Sequence, residues 1–219
     1  CYGVAAEVLV ADLARPADVL TVEERVARDQ ELEMVVNNAG FGMAAPFSQA
    51  DTNAIEAMIH VHVMALVRLT HAALPGMMAR GHGSIINVSS TSAFDATPVP
   101  RQAVYAATKA FVTTFTQGVH AEVKDTGVRV QALCPGWTRT EILERRGVTS
   151  RDLGIPDAAF MMPDVLVDAS LKGLELGEVV CVPSLHDAGL VDQIMALQRT
   201  AFEAAEATGI PAQRYTGTG

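Results

Sequence analysis

Short apolar runs alternate with segments of helical periodicity along most of the 219-residue chain, and this alternation constrains the fold more than any other feature. Runs that are apolar almost throughout are typical of parallel strands, because helices cover both faces of a parallel sheet. The pattern therefore predicts an α/β fold with a doubly wound parallel sheet in a three-layer α/β/α arrangement. Strands are expected at residues 7–12, 33–37, 84–89, 128–133 and 178–183, and helices at 19–30, within 52–80 and at 104–124.

Length, charge and cysteine content restrict the class of protein. A chain of 219 residues is expected to form one domain, residues 1–219. Its net charge of −9 argues against nucleic acid or an anionic membrane as the main partner. No apolar run reaches the ~18 residues that a membrane span requires, and no leader peptide is expected. Cys134 and Cys181 lie in apolar, strand-like runs, so we expect buried free thiols, a cytoplasmic location and no metal site.

Tyr105 and Lys109 lie four residues apart in a predicted helix, within the sequence Tyr-Ala-Ala-Thr-Lys. Side chains at this spacing share one face of a helix. A lysine ammonium favours a neighbouring phenolate, so we expect Lys109 to lower the pKa of the phenol from about 10 toward neutrality. Such a pair donates or accepts a proton at physiological pH. The alternative is a coincidental pair on a helix surface.

Three further segments accompany this pair in a fixed order. Residues 34–40 read M-V-V-N-N-A-G, residues 83–90 read G-S-I-I-N-V-S-S, and residues 128–140 read V-R-V-Q-A-L-C-P-G-W-T-R-T. The succession N-N-A-G, V-S-S, Y-x-x-x-K and P-G-x-x-x-T resembles the short-chain dehydrogenase/reductase family over about residues 6–183. This resemblance implies a Rossmann-like dinucleotide-binding fold and NAD(P)-dependent oxidoreduction.

One motif of the resembled family is absent from these residues. The family's first strand is followed by a Gly-rich turn, T-G-x-x-x-G-x-G, which seats the cofactor pyrophosphate at a helix N-terminus. The 219 residues contain no such segment, and the strand at residues 7–12 corresponds to the family's third. The first β-α-β portion of the fold is therefore expected to be missing from this sequence. Because such a sheet would expose an unpaired edge, we favour an incomplete sequence over a natural short form.

The resemblance assigns catalytic roles to a serine, the tyrosine and the lysine. Tyr105 would protonate a carbonyl oxygen, Ser90 would position that oxygen, and Lys109 would lower the pKa of the phenol and bind ribose hydroxyls. The end of the predicted strand favours Ser90 as the serine. Counting back from the tyrosine by the family's usual spacing favours Ser92 instead. Ser90 is the preferred choice.

His62 stands where the family usually carries an asparagine that holds a water in a proton wire. An imidazole also relays protons near neutral pH, so we expect His62 to complete a relay to the lysine. Two alternatives remain open. One is a packed or solvated histidine without a chemical role, and the other is weakened or altered catalysis.

The cofactor is expected to be NADP or NAD, with NADP slightly favoured. By resemblance, Asp12 and the backbone of Leu13 hold the adenine, and Asn37 ties neighbouring strands together. The residues assigned to the adenosine ribose are Asn38, Ala39 and Gly40, and those assigned to the nicotinamide carboxamide are Pro135, Gly136, Thr138 and Thr140. A helix N-cap at Asp12 and plain turns elsewhere are the alternative interpretations.

The remaining expectations concern the lid, the tail, assembly and function. Residues 139–163, charged and then Met-rich, are predicted to form a substrate lid, and residues 204–219 a loose C-terminal tail. Two long helices with apolar residues on several stripes predict a homodimer or homotetramer. The predicted reaction is hydride transfer between the cofactor and a small ketone, aldehyde or alcohol. The alternatives are an epimerase or dehydratase on the same scaffold, and a non-enzymatic binding protein with weak cofactor affinity.

Overall fold

The computed structural model describes residues 3–43, 45–95, 102–141, 152, 154–187 and 189–216. It groups the chain into two compact units, Cys1–Ser184 and Leu185–Gly219. The first unit contains the sheet and every site residue that the sequence predicts.

Within the described residues, four parallel strands form one sheet in the order β1-β2-β3-β4. The strands are β1 (Met34–Asn37), β2 (Gly83–Val88), β3 (Val128–Leu133) and β4 (Val180–Cys181). The helices of this unit are α1 (Pro16–Arg28), α2 (Thr52–Ile59), α3 (Leu66–Arg80), α4 (Ala103–Val123) and α5 (Pro163–Leu176). Each crossover between neighbouring strands contains a helix, as parallel pairing requires. The predicted α/β class with a parallel sheet is confirmed.

Apolar side chains cover both faces of the sheet. On one face, Ile85 belongs to a buried cluster that includes residues of α3 and α4, and its members are Val35, Ala73, Met77, Val119, Val123, Val128 and Val130. On the other face, Ile86 packs in a cluster with Leu174 of α5 and Cys181. Successive strand residues point to opposite faces, so the neighbours Ile85 and Ile86 serve different layers. This arrangement confirms the three-layer prediction. Cys134 and Cys181 are buried free thiols, as expected.

The helical segment predicted within residues 52–80 contains one irregularity. A π-helical turn, His60–Ala65, joins α2 to α3. The side chain of Asp51 caps the start by accepting a hydrogen bond from the backbone of Asn53. Gly81 ends the segment in the left-handed region, at φ 76°. Single π-helical turns are rare and frequently lie at functional sites, and this one contains His62.

The span Thr52–Arg80 is long and apolar enough to cross a membrane by length and composition alone, contrary to the expectation from the sequence. In the structure Met58, Leu66 and Met77 are buried in the protein, whereas Ile59, Met64 and Met78 are exposed. The core therefore accounts for part of the hydropathy of this helix, because 39% of its most apolar window is buried.

Two predicted strands differ from the structure. Residues 7–12 are not a strand, and Val8 and Val10 there are 83% and 91% exposed. A strand needs a hydrogen-bonding partner, and residues 7–12 pair with none of the strands β1 to β4. The strand predicted at residues 178–183 is confined to Val180–Cys181, where it pairs with the end of β3.

The second unit contains α6 (Gly189–Glu206) and the short α7 (Gln213–Thr216). The predicted loose tail from residue 204 therefore begins inside a helix. The predicted lid lies only partly among the described residues, because residues 142–151 and 153 fall outside them.

Candidate active site

The carboxyl ends of β2 and β3 place two of the predicted segments side by side. Beyond the paired residues, the backbone N–H of Ser89 donates to the carbonyl of Leu133 at 2.7 Å. The backbone N–H of Thr91 donates to the carbonyl of Pro135 at 2.9 Å. The predicted catalytic serine segment and the predicted nicotinamide segment are thus neighbours at the edge where parallel sheets bind ligands.

Ser90 lies at the end of β2 and faces Tyr105 of α4. Its hydroxyl accepts a hydrogen bond from the backbone N–H of Ser92 at 3.1 Å, which caps a short 3₁₀ helix, Thr91–Phe94. A hydrogen bond from Ser90 to the tyrosine also lowers the pKa of the phenol. Ser92 lies beside Ser90, with 3.3 Å between the two hydroxyl oxygens. The contact with the phenol favours Ser90 over Ser92.

Lys109 is held from two directions on α4. Its ammonium donates to the carbonyl of Val88 at 2.9 Å. The backbone carbonyl of Lys109 accepts a hydrogen bond from the hydroxyl of Ser89 at 2.7 Å. The residue is 5% exposed, and burial lowers the pKa of the ammonium to about 8. Lysine is therefore fixed beside the end of β2, with its nitrogen 5.7 Å from the ring centre of Tyr105.

The pKa of Tyr105 moves in the direction opposite to the expectation from the sequence. Burial raises the pKa of the phenol, and the hydrogen bond from Ser90 opposes this only in part. Partial burial disfavours the phenolate. Lys109 directs a donor to the Val88 carbonyl and lies against the ring of Tyr105. The phenol therefore stays protonated at neutral pH in this structure.

His62 is almost fully buried, at 2% exposure, and both of its ring nitrogens contact protein groups. The backbone N–H of Phe41 donates to Nε2 at 3.0 Å. Nδ1 lies 2.9 Å from the hydroxyl of Thr108, which itself donates to the carbonyl of Tyr105 at 2.8 Å. Burial and then the charge of Lys109 lower the pKa of the imidazole to about 4. The expected relay to the lysine does not fit this geometry, because the chain of hydrogen bonds ends at a backbone carbonyl.

A buried polar network behind the site was not predicted beyond Asn37. The Asn37 amide donates to Asn87 at 2.8 Å, which joins β1 to β2 and confirms the role expected for Asn37. The Asn87 amide donates to Thr116 of α4 at 3.0 Å, and Thr70 of α3 lies within reach of both asparagines. The signal in the sequence is Asn87 itself, a polar residue inside a continuous apolar run. Its partners are separated too widely along the chain to be identified without the fold.

Three of the five residues assigned to adenosine lie at one groove near the end of β1. Leu13, Asn38 and Ala39 line it together with Val36, Asn37, Val61, Ala65, Leu66 and Leu69. Asp12 accepts a hydrogen bond from the backbone N–H of Ala14 at 3.0 Å, so its side chain orders the turn before α1. Gly40 lies against the imidazole, and a Cβ at this position would approach Nε2 of His62 to 2.9 Å.

The segment after β3 pairs with the end of the predicted lid. Thr138 forms a parallel bridge with Met161, and the backbone of Arg139 donates to the Met161 carbonyl at 2.9 Å. The Trp137 and Phe160 rings lie 5.9 Å apart. Pro135 and Gly136 are partly buried, whereas Thr140 is exposed. The structure therefore places Pro135 and Gly136 next to Thr91, and Thr138 and Thr140 farther along the same loop.

A small apolar pocket, about 10 Å³ in volume, adjoins Tyr105. It was not predicted from the sequence, although Met43 and Phe47 lie three and seven residues after the N-N-A-G segment. Its lining consists of Met43, Ala45, Phe47, Ala50, Ala103, Val104 and Tyr105. None of these residues carries a charged side chain.

Residues 2–150 match the family model described as short chain dehydrogenase. The very-long-chain 3-oxoacyl-CoA reductase of Anas platyrhynchos is 34% identical over 145 residues, which cover 64% of this chain and 46% of that protein. The corresponding protein of Rattus norvegicus is 34% identical over 154 residues, which cover 68% of this chain and 48% of that protein. The chain spans about half the length of these curated relatives.

The matches to solved structures cover a larger share of the chain than the matches to these curated relatives. A short-chain dehydrogenase from Sphingobium yanoikuyae in complex with NADPH has a TM-score of 0.87 and 38% identity, and the match covers 97% of this chain and 81% of that one. The bulky-bulky ketone specific alcohol dehydrogenase from Comamonas testosteroni has a TM-score of 0.82 and 31% identity, over 96% of this chain and 78% of that one.

Proposed function

The chain belongs to the short-chain dehydrogenase family, and we propose that it is an NADP(H)-dependent oxidoreductase that interconverts a ketone or aldehyde with an alcohol. The observation that carries this proposal is the meeting of Ser90, Tyr105 and Lys109 at the carboxyl end of β2. An acid, a hydroxyl donor and a buried amine in contact are the groups that proton transfer to a carbonyl oxygen requires. The NADPH bound by the Sphingobium yanoikuyae relative supports the choice of cofactor.

The described residues fit a nicotinamide dinucleotide in two places. The hydrogen bond to Val88 uses one of the three N–H donors of Lys109, so two can bind ribose hydroxyls. The groove lined by Leu13, Asn38 and Ala39 offers small or apolar groups to a flat base. We assign Lys109 to the nicotinamide ribose and this groove to the adenosine. The bound cofactor would supply the hydride.

The protein's own groups would supply the proton and the orientation of the substrate. In reduction, Tyr105 gives its phenolic proton to the carbonyl oxygen, and the Ser90 hydroxyl donates a hydrogen bond to the same oxygen. Because burial raises the pKa of Tyr105, the phenol holds its proton at neutral pH and is ready to act as an acid. In the reverse direction the phenolate accepts the proton of the alcohol.

The pocket beside Tyr105 supports a substrate with an apolar group on the carbonyl carbon. Met43 and Phe47 supply adaptable and aromatic apolar surface there. Each buried methylene contributes about 0.8 kcal/mol, or roughly 4-fold in kcat/KM. We therefore expect kcat/KM to be higher for a carbonyl compound with an apolar substituent than for one with a charged substituent.

Replacement of Tyr105 by Phe tests the proposal most directly. The change removes only the proton donor, so we expect kcat to fall by roughly 10²- to 10⁴-fold while the affinity for NADPH stays nearly unchanged. Turnover is followed by the loss of NADPH absorbance with a graded series of ketones, and affinity by calorimetry. A variant that kept more than a few per cent of wild-type kcat would refute the role of Tyr105.

Replacement of Phe47 by Ala tests the substrate class separately. Phe47 is 66% exposed, so its loss disturbs the fold little. We expect it to reduce the preference for apolar over charged ketones while leaving turnover of the smallest ketone near the wild-type value. An unchanged preference would remove Phe47 from the substrate site.

A further inference from the structure

His62 contacts two separate parts of the candidate site although it lies on none of the strands. It projects from the π-helical turn between α2 and α3. Its ring makes edge contacts with Phe41, at 5.9 Å between centres, and with Tyr105, at 5.7 Å. Gly40 lies against its Nε2 atom, so that no larger residue fits there without displacement of the ring. One side chain therefore separates the segment that follows β1 from the helix that carries the acid.

The hydrogen bonds of His62 determine its tautomer. A backbone N–H can only donate, so Nε2 must accept the hydrogen bond from Phe41 and carries no proton. The single ring proton is then on Nδ1 and is donated to the hydroxyl of Thr108. The Thr108 hydroxyl in turn donates a hydrogen bond to the Tyr105 carbonyl. Each donor in this chain has one acceptor, and the direction is fixed from His62 to the first turn of α4.

We propose that His62 is a positioning residue, a neutral imidazole that holds Phe41 with one nitrogen and Thr108 with the other. It thereby sets the distance between the cofactor segment Asn38–Gly40 and the phenol of Tyr105. This inference rests on the proposed function for the identity of those two groups. It differs from a relay because the histidine moves no proton during turnover.

The charged and titratable groups around the ring agree with a neutral state. On α4 the ring faces the ammonium of Lys109 and the phenol of Tyr105. On the β1 side it faces the backbone N–H of Phe41, which is also a donor. The ring therefore meets a cation, a phenol and an N–H group, none of which stabilises a second proton on the imidazole.

Replacement of His62 by Gln and by Asn separates its two contacts. The amide of Gln reaches the position of Nε2 and can accept the Phe41 N–H, but it loses Thr108. The shorter Asn amide lies at the position of Nδ1 and can donate to Thr108, but it loses Phe41. We expect H62Q to lower kcat by roughly 10-fold with the KM for NADPH within 3-fold of wild type. We expect H62N to raise the KM for NADPH by roughly 10-fold with kcat within 3-fold of wild type.

Thr108 provides the matched control for the same contact. Thr108→Val keeps the shape and removes the hydroxyl, so it should reproduce the kinetics of H62Q. Thr108→Ser keeps the hydroxyl and should restore kcat. The proposal is overturned if H62Q and H62N change kcat and KM in the same proportion, or if T108V behaves like wild type. It is also overturned if either His62 variant removes an ionisation from the pH profile of kcat, because that ionisation would show a relay.

Nitrogen NMR of the histidine-labelled protein tests the inference without turnover. The chain has six histidines, and the spectrum of H62Q identifies the resonance of His62. We expect a neutral ring with the proton on Nδ1 from pH 8 to pH 5.5. Titration near the ordinary pKa of about 6.5, or a proton on Nε2, would overturn the proposal. If the wild-type protein reduces no carbonyl compound, the proposed function fails, while this measurement still decides the state of His62.

Discussion

The buried state of His62 predicts how the stability of the protein depends on pH. Its pKa is lowered from 6.5 to about 4 in the folded protein, whereas an unfolded chain leaves the imidazole near its ordinary value. The unfolded state therefore binds more protons than the folded state between these two values, and folding becomes less favourable as the pH falls. The contribution of the neutral His62 to the free energy of unfolding is complete above pH 6.5 and is lost progressively below it.

The size of the effect follows from the shift. The pKa values of His62 in the folded and unfolded states differ by about 2.5. This difference lowers the free energy of unfolding by about 3 kcal/mol at a pH where the imidazole is protonated in both states. At pH 5 the folded imidazole is still mostly neutral and the unfolded one mostly charged, so the loss relative to pH 8 is about 2 kcal/mol. For a domain of this size a change of that magnitude is a large part of the total stability, which is typically about 5–15 kcal/mol.

Urea unfolding followed by far-ultraviolet circular dichroism measures this effect at pH 8, 6.5 and 5. We compare the wild type with His62→Gln, which cannot titrate, and expect the wild type to lose about 2 kcal/mol more than the variant over this range. His60→Gln is the matched control. His60 is the neighbouring histidine in the same π-helical turn, but its side chain is 32% exposed and pairs with Glu56. Equal pH dependence in the wild type and His62→Gln would refute the buried neutral state.

Three further predictions concern the remaining site and the core. Ser90→Ala should lower kcat by roughly 10²- to 10³-fold and Ser92→Ala by much less in the same assay, and the reverse order would make Ser92 the catalytic serine. Asn87→Ala should lower the free energy of unfolding by about 2–3 kcal/mol, because Asn37 and Thr116 lose a buried partner, and a loss below about 0.5 kcal/mol in urea unfolding would contradict the importance of the network. Oxidation of an alcohol needs the phenolate of Tyr105, and the pKa of this phenol is raised. The rate of oxidation should therefore increase with pH through the alkaline range, while the rate of reduction declines. Parallel pH profiles in the two directions would argue against Tyr105 as the shared acid and base.

The pattern of apolar residues predicted the regular elements well where a partner strand or helix covers them. β3 was predicted to the residue at 128–133, and α4 at 104–124 differs from Ala103–Val123 by one residue at each end. Residues 7–12 have the same apolar character but form no strand, since strand formation depends on an adjacent edge that local sequence does not reveal. The Y-x-x-x-K spacing placed Tyr105 and Lys109 on one helix face. It did not indicate that burial, rather than Lys109, determines the pKa of the phenol.

The polar partners of the site were the least predictable part, because each pair joins residues far apart in the chain. Gln131 in β3 bonds the hydroxyl of Ser170 in α5 at 2.7 Å, as Asn87 in β2 bonds Thr116 in α4. Both strand residues are recognisable in the sequence as polar residues within largely apolar runs, but neither run identifies the hydroxyl that satisfies the polar side chain.

The anchoring of α4 explains why such contacts matter for the chemistry. The Ser89 hydroxyl binds the carbonyl of Lys109, and the Lys109 ammonium binds the carbonyl of Val88, so α4 is tied to the end of β2 by its backbone and by a side chain. A shift of α4 along the sheet would break both bonds at once. Because His62 and Thr108 hold the preceding turn, the phenol of Tyr105 is placed by contacts on both sides of its helix. In the proposed reaction, a proton donor fixed in this way would reach the carbonyl oxygen without first being ordered by the substrate, which would lower the entropic part of the barrier.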